Sequence, residues 1–194
     1  MQGTRVLLLI SLIKFVYGCE PFVYHDQSSY CNADYAFSGI VQDSQETDKE
    51  SIFQVQVTSN IKGQVAYKGG IITVYGRGRM NSCGPTWLRL NKEYILYVSI
   101  DDELTNKLQI TEPHEFNQTI INRIKSYDCY CKVEINLPQQ SIPDSSIPAR
   151  EKCVITEREW DCTFQNGYCA RTRCRGQSRC GSGECQWFPG VSIC

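Results

Sequence analysis

Cys19 is the residue whose position offers the most specific chemistry. Before it stand Arg5, the apolar run Val6–Ile13 and then Val16-Tyr17-Gly18. A basic residue, a short apolar stretch and tolerated residues at −3 and −1 make a secretory cleavage site, so residues 1–18 read as a signal peptide. Lys14 and Gly18 interrupt the apolar run, which is too short to span a bilayer. Cleavage after Gly18 leaves a cysteine whose thiol can be tied down while its α-amino nitrogen and carbonyl oxygen stay free. Those two atoms close a five-membered ring on a metal ion, so the expected chemistry is bidentate chelation by a chain terminus.

The other cysteines point to the same compartment. The chain has twelve, and all lie at or after Cys19. An even number behind a signal peptide reads as six disulfides in a secreted, extracellular protein. Structural zinc is the rival reading, but the only histidines are His25 and His114, and no Cys pair joins a His pair at finger spacing. Asn117-Gln118-Thr119 is a glycosylation sequon, with Asn117 as the acceptor. Arg5 and Lys14 precede Cys19, so the mature part keeps 18 of the 20 basic residues against 21 acidic ones, a net charge of −3. That balance argues against nucleic acid as a partner.

Enzymatic signatures are missing. There is no His-Glu-x-x-His, nucleophile elbow or P-loop, so the chain reads as a non-enzyme with no cofactor of its own. His25 and His114 are expected on the surface or in loops. Asp101-Asp102-Glu103 follows a strand and reads as a solvated turn rather than a calcium loop.

The elements that must hold Cys19 are mostly strands. Tyr35–Val41, Ile52–Thr58, Ile71–Tyr75, Tyr94–Ile100 and Lys107–Thr111 are rich in β-branched and aromatic residues. Phe53, Val55 and Val57 alternate with Gln54 and Gln56, as in a strand with one wet face. Gln42–Glu50 is polar and acidic, which predicts an exposed hairpin loop. Phe116, Ile120, Ile124 and Tyr127 recur at helical spacing, widened by Ile121. Five strands closing into a small barrel with a helix outside is the simplest account, an oligonucleotide/oligosaccharide-type (OB) barrel.

Three of the seven prolines fall in Leu137–Pro148, which predicts a linker over 136–150 between a domain at 19–135 and a cysteine-rich domain at 151–194. The latter has few apolar residues and needs covalent staples. Arg171, Arg173, Arg175 and Arg179 read either as a site for sulfated matrix glycans or as solvated surface, and the second reading is favoured.

The pattern Cys19-x11-Cys31-Asn32-Ala33-Asp34, Cys83-Gly84, Lys92-Glu93-Tyr94-Ile95-Leu96 and Cys129-Tyr130-Cys131-Lys132-Val133 resembles the tissue inhibitors of metalloproteinases. Cys185-Gln186-Trp187-Phe188-Pro189-Gly190 is similar to the tryptophan motif near the end of that family. The resemblance implies a netrin-like domain over 19–135, bridges Cys19–Cys83 and Cys31–Cys129, and suggests Cys131–Cys185 between the domains. It further implies that the Cys19 amine and carbonyl displace water from the catalytic zinc of a partner protease. Glu20, Pro21 and Phe22 would then lie in the protease groove, and Met80, Asn81 and Ser82 alongside it. Two departures stand out. Pro21 and Pro113 occupy the places of one family disulfide, both partners missing together. Glu20 replaces a residue that is usually small or hydroxylic. The second class of function carried by the same scaffold is a secreted netrin-like signalling or extracellular-matrix-binding protein without protease inhibition. Glu20 and the altered C-terminal cysteine spacing favour that alternative.

Overall fold

The computed structural model describes residues 24–101, 106–136, 146–156, 165–172 and 183–188. The fold is mainly β. In chain order it runs α1 (Asp26–Asn32), β1 (Tyr35–Glu46), β2 (Glu50–Lys62), β3 (Ile71–Arg77), β4 (Glu93–Ile100), β5 (Leu108–Glu115), α2 (Gln118–Ile124) and β6 (Lys132–Asn136). There follow a single 3₁₀ turn (Ala149–Glu151), β7 (Lys152–Thr156), β8 (Tyr168–Arg171) and β9 (Cys185–Phe188).

Strands β1 to β5 form one sheet in the order β1-β2-β3-β5-β4, closed because β4 also pairs with β1. All pairings are antiparallel except β3 with β5, which meet in parallel at Tyr75 and Gln109. Three irregularities in the β1–β2 register let these long strands bend around the barrel. Phe37, Val41, Phe53, Val55, Val57, Val74, Leu96, Val98 and Ile110 fill its interior. Strand β4 is buried from Tyr94 to Val98 without alternation. Leu96 and Val98 point into the barrel, whereas Ile95 and Tyr97 pack outside it against Ala33, Ala36 and Ile124. Both faces of the strand are covered, so its sequence is a continuous apolar run.

The segment Gln42–Glu50 differs from the loop expected there. Strand β1 continues to Glu46 and β2 begins at Glu50, with Asp43 opposite Gln54 and Glu46 opposite Ser51, leaving only Thr47–Lys49 as the turn. Residues 42–46 are exposed on both faces, so this stretch of ladder has no apolar alternation to announce it. Helix α1 was likewise not expected. It has seven residues and no apolar periodicity.

Beyond the barrel, β6 pairs in parallel with β7, joining residues on either side of the proline-rich stretch. Strands β8 and β9 form a separate antiparallel pair. Cys31–Cys129 and Cys131–Cys185 are both bridged, as the family resemblance implied, and Cys153–Cys169 is a third bridge. Cys31 and Cys129 are 98 residues apart, so in chain-entropy terms their bridge is worth about 4 to 5 kcal/mol. Among the described residues, no helix is long and apolar enough to cross a membrane.

Candidate functional site

Strand β3 ends in a loop whose base is closed at Arg77 and Thr86. The Thr86 N–H donates to the Arg77 carbonyl at 2.9 Å, and the Arg77 N–H donates to Thr86 Oγ1 at 2.9 Å. Gly76 makes this contact possible, since a Cβ there would lie 2.5 Å from that of Thr86. The loop is also laced to the β1–β2 turn. The N–H groups of Gly78, Arg79 and Met80 donate to the carbonyls of Lys49, Thr47 and Asp48, and the Arg79 guanidinium lies 2.9 Å from Asp48 and 3.5 Å from Glu46. At the tip, Asn81 Oδ1 accepts from the Cys83 N–H at 3.0 Å, and Gly84 takes the left-handed conformation (φ 73°) that a side chain would resist.

The result is a braced loop that presents Met80, Asn81 and Ser82 to solvent. Cys83, next in the chain, is disulfide-bonded, and its partner is not among the described residues. Cys19, Glu20, Pro21 and Phe22 lie outside the described residues, as do residues 1–18, the segment expected to be a signal peptide.

The described chain enters the barrel through α1. His25 caps this helix, its Nδ1 accepting from the Gln27 N–H at 3.2 Å. At the other end Lys62 Nζ donates to the carbonyls of Tyr30, Cys31 and Ala33, where the cation also meets the negative end of the helix. The Cys31–Cys129 bridge ties the last turn of α1 to the segment after α2.

Asp26 is the hub of a buried charge network. Its carboxylate lies 3.1 Å from His114 Nε2 on β5 and 2.6 Å from the Arg123 guanidinium on α2, and it accepts from the Tyr127 hydroxyl at 2.5 Å. Glu112 approaches the same imidazole nitrogen at 3.5 Å. Burial alone would raise the Asp26 pKa. His114, Tyr127 and Arg123 outweigh it and hold the carboxyl well below the usual carboxylate range. For His114, burial disfavours the imidazolium, yet Asp26 and Glu112 prevail and raise its pKa above the ordinary 6.5. Burial pushes the Glu112 carboxyl up. His25 lies in the loop before α1, as expected, but neither histidine is a surface residue, and His114 belongs to strand β5. His25 is fully buried, and the side chain of His114 is only 19% exposed.

Asp26, Glu112 and His114 bring three donor atoms within 4.8 Å of one another, a possible metal-binding group. The Arg123 guanidinium already supplies the positive charge at Asp26, so the set suits an ion-pair network better than a cation. Cys131, Cys169 and Cys185 also cluster, but all three are spent in disulfides and offer no thiolate.

Asn117 caps α2 through Oδ1, which accepts from the Thr119 N–H at 2.8 Å, and the residue is exposed. Of the arginine run, Arg171 bonds Asp128 at 2.7 Å and lies over the Tyr130 ring at 4.6 Å. Arg173, Arg175 and Arg179 lie outside the described residues. Sequence reasoning missed Asp26, Arg123 and Tyr127 as a group, because a contact between residues 97 to 101 positions apart leaves no local signal. No family model matches the chain, and no curated protein matches it significantly.

Proposed function

We propose that this chain is a secreted protein inhibitor of zinc metalloproteases built on a netrin-like, OB-type barrel. The observation that carries the reading is a closed five-stranded barrel with Cys31 bonded to Cys129 and a disulfide-bonded Cys83 at the end of a braced, exposed loop. A terminal cysteine bridged to that loop would have its backbone amine and carbonyl held outward on a rigid frame. A catalytic zinc holds a displaceable water, and the Cys19 amine and carbonyl would take its place as a chelating pair. The zinc belongs to the protease. Met80, Asn81 and Ser82 flank the groove, and Glu20 enters the specificity pocket.

Glu20 selects the target. A carboxylate without a partner in an apolar pocket costs several kcal/mol, and about 4 kcal/mol weakens binding roughly a thousandfold. Pro21 biases Glu20 toward the extended backbone that a protease groove accepts. The partner is thus a metalloprotease with a basic or wet pocket. The same Glu20 also favours the second reading, a netrin-like signalling or matrix-binding protein that blocks no protease.

The test is chemical modification of the terminus. A zinc-bound amine must donate a lone pair, so acetylating the α-amino group, or adding one residue before Cys19, should abolish inhibition and leave the fold intact. Replacing Glu20 by Thr should strengthen inhibition of enzymes with apolar pockets. Inhibition that survives the extension would exclude chelation by the terminus. No inhibition of a broad metalloprotease panel by either the native or the Glu20→Thr protein would move the assignment to the second reading.

A further inference from the structure

Trp87 is 73% exposed, although the residues on either side of it, Thr86 and Leu88, are buried. Its backbone is held by bonded or buried residues on both sides. On one side Thr86 is bonded twice to Arg77 and packed against Gly76. On the other, Leu88 sits in the barrel core, and the Arg89 N–H donates to the Tyr94 hydroxyl at 3.0 Å. The fold thus holds a large indole in water on a braced segment, four residues beyond Cys83 and directly after the base of the loop that carries Met80–Ser82.

Among the described residues, no packing or hydrogen bond accounts for this exposure. An exposed tryptophan leaves a large apolar area in water, and at 73% exposure this ring is largely uncovered. Exposed tryptophans on a fixed backbone serve as interface anchors, because burying the ring removes a large apolar area from water at the cost of only two side-chain torsions. Arg89 follows two residues later and is also exposed, and among the described residues its guanidinium has no acidic partner. The partner surface that suits the pair is an apolar socket bordered by carboxylates.

We propose that Trp87 is a second anchor on the target metalloprotease, seated in an apolar, acid-rimmed depression beside the catalytic groove, with Arg89 meeting the rim. This rests on the inhibitor reading, and it adds a specificity determinant remote from the zinc. The anchor would let the chain hold its target although Glu20 suits few pockets.

The experiment measures inhibition constants of the native protein, Trp87→Ala, Trp87→Phe, Arg89→Ala and Tyr67→Ala against a panel of metalloprotease catalytic domains. Tyr67 is 82% exposed on the β2–β3 connection and serves as the control for losing a surface aromatic. Trp87→Ala should weaken inhibition of the preferred enzyme about thirtyfold, the loss typical of an interface anchor. Trp87→Phe should recover part of it, and Tyr67→Ala should change nothing. Arg89→Ala should reduce the dependence of the association rate on salt. Thermal unfolding of Trp87→Ala should match the native protein, since the ring is exposed. If the native protein inhibits and Trp87→Ala inhibits equally well, the anchor is refuted and the inhibitor reading stands. If only Glu20→Thr inhibits, the same Trp87 and Arg89 comparison is made in that background. If neither it nor the native protein inhibits any member of the panel, the reading and the anchor fall together.

Discussion

Gln27 and Cys169 are joined by a reciprocal pair of hydrogen bonds across 142 residues of sequence. The Gln27 carboxamide nitrogen donates to the Cys169 carbonyl at 2.7 Å, and its oxygen accepts from the Cys169 N–H at 2.8 Å. The same nitrogen also donates to the Asp128 carbonyl at 3.0 Å. One fully buried side chain thereby ties α1, the segment after α2 and strand β8 together. His25 adds to this join by packing edge-on against Trp187, with ring centroids 5.3 Å apart.

Gln27→Leu keeps the approximate volume and removes the pairing. The buried N–H and carbonyl of Cys169 would then lack partners, which costs about 1 to 3 kcal/mol for each such group. We expect the variant to lose about 2 kcal/mol or more of stability and the Cys169 amide to exchange with solvent much faster. Hydrogen exchange read at that amide checks this, and unchanged protection would show that the clasp is dispensable.

Asp26→Ala should be more damaging. It leaves the His114 imidazolium and the Arg123 guanidinium facing each other in a buried site without their carboxylate, and breaking such a pair costs about 3 to 5 kcal/mol. Pairing it with His114→Gln should recover part of the loss, because one of the stranded charges is then gone. Chemical denaturation of the two single variants and the double variant measures the coupling, which should be well above zero.

Stability should fall as the solution is made more alkaline. The His114 pKa is raised by Asp26 and Glu112, so its contribution is complete below the ordinary 6.5 and is lost as pH climbs through the folded-state value. Facing it are Asp26 from α1, Glu112 from its own strand, Arg123 and Tyr127 at α2, and the Tyr97 ring from β4. Glu112, also raised, gives the same sign from above its ordinary 4.5. The depressed Asp26 works the other way, its contribution being lost only in strong acid. Following the His114 ring protons by NMR while recording unfolding between about pH 5 and 9 separates these groups. His114→Gln should flatten the alkaline part of the profile, and a native imidazole titrating below 6.5 would contradict the expectation.

Gly76→Ala tests the brace beneath the exposed loop. The added methyl would sit 2.5 Å from the Thr86 Cβ and 2.7 Å from its hydroxyl, so the Arg77–Thr86 closure must open. Overpacking of this kind costs about 1 to 3 kcal/mol. Calorimetry should show that loss. On the inhibitor reading, target affinity should drop further than stability alone explains, because Met80–Ser82 and Trp87 both hang from this closure.

The sequence by itself determined the parts of this protein whose physics is local. Alternation in Phe53-Gln54-Val55-Gln56-Val57 and the β-branched runs located five strands, and the stripe Phe116, Ile120, Ile121, Ile124 and Tyr127 located α2, with Phe116 and Tyr127 just beyond its ends. Those signals arise because one element meets one apolar layer, and that periodicity is written in consecutive residues. Tertiary structure decided the rest. The outer half of the β1–β2 ladder has water on both faces, so only backbone pairing marks it as strand. Seven-residue α1 is held by a lysine 29 to 32 positions away, a disulfide and buried charges rather than by its own pattern. The Asp26 network and the outward indole of Trp87 depend on which side chains several elements place around one point. Periodicity reports the neighbours of a residue along the chain, whereas burial of a charge or exposure of an aromatic is decided by neighbours that only the folded chain brings together.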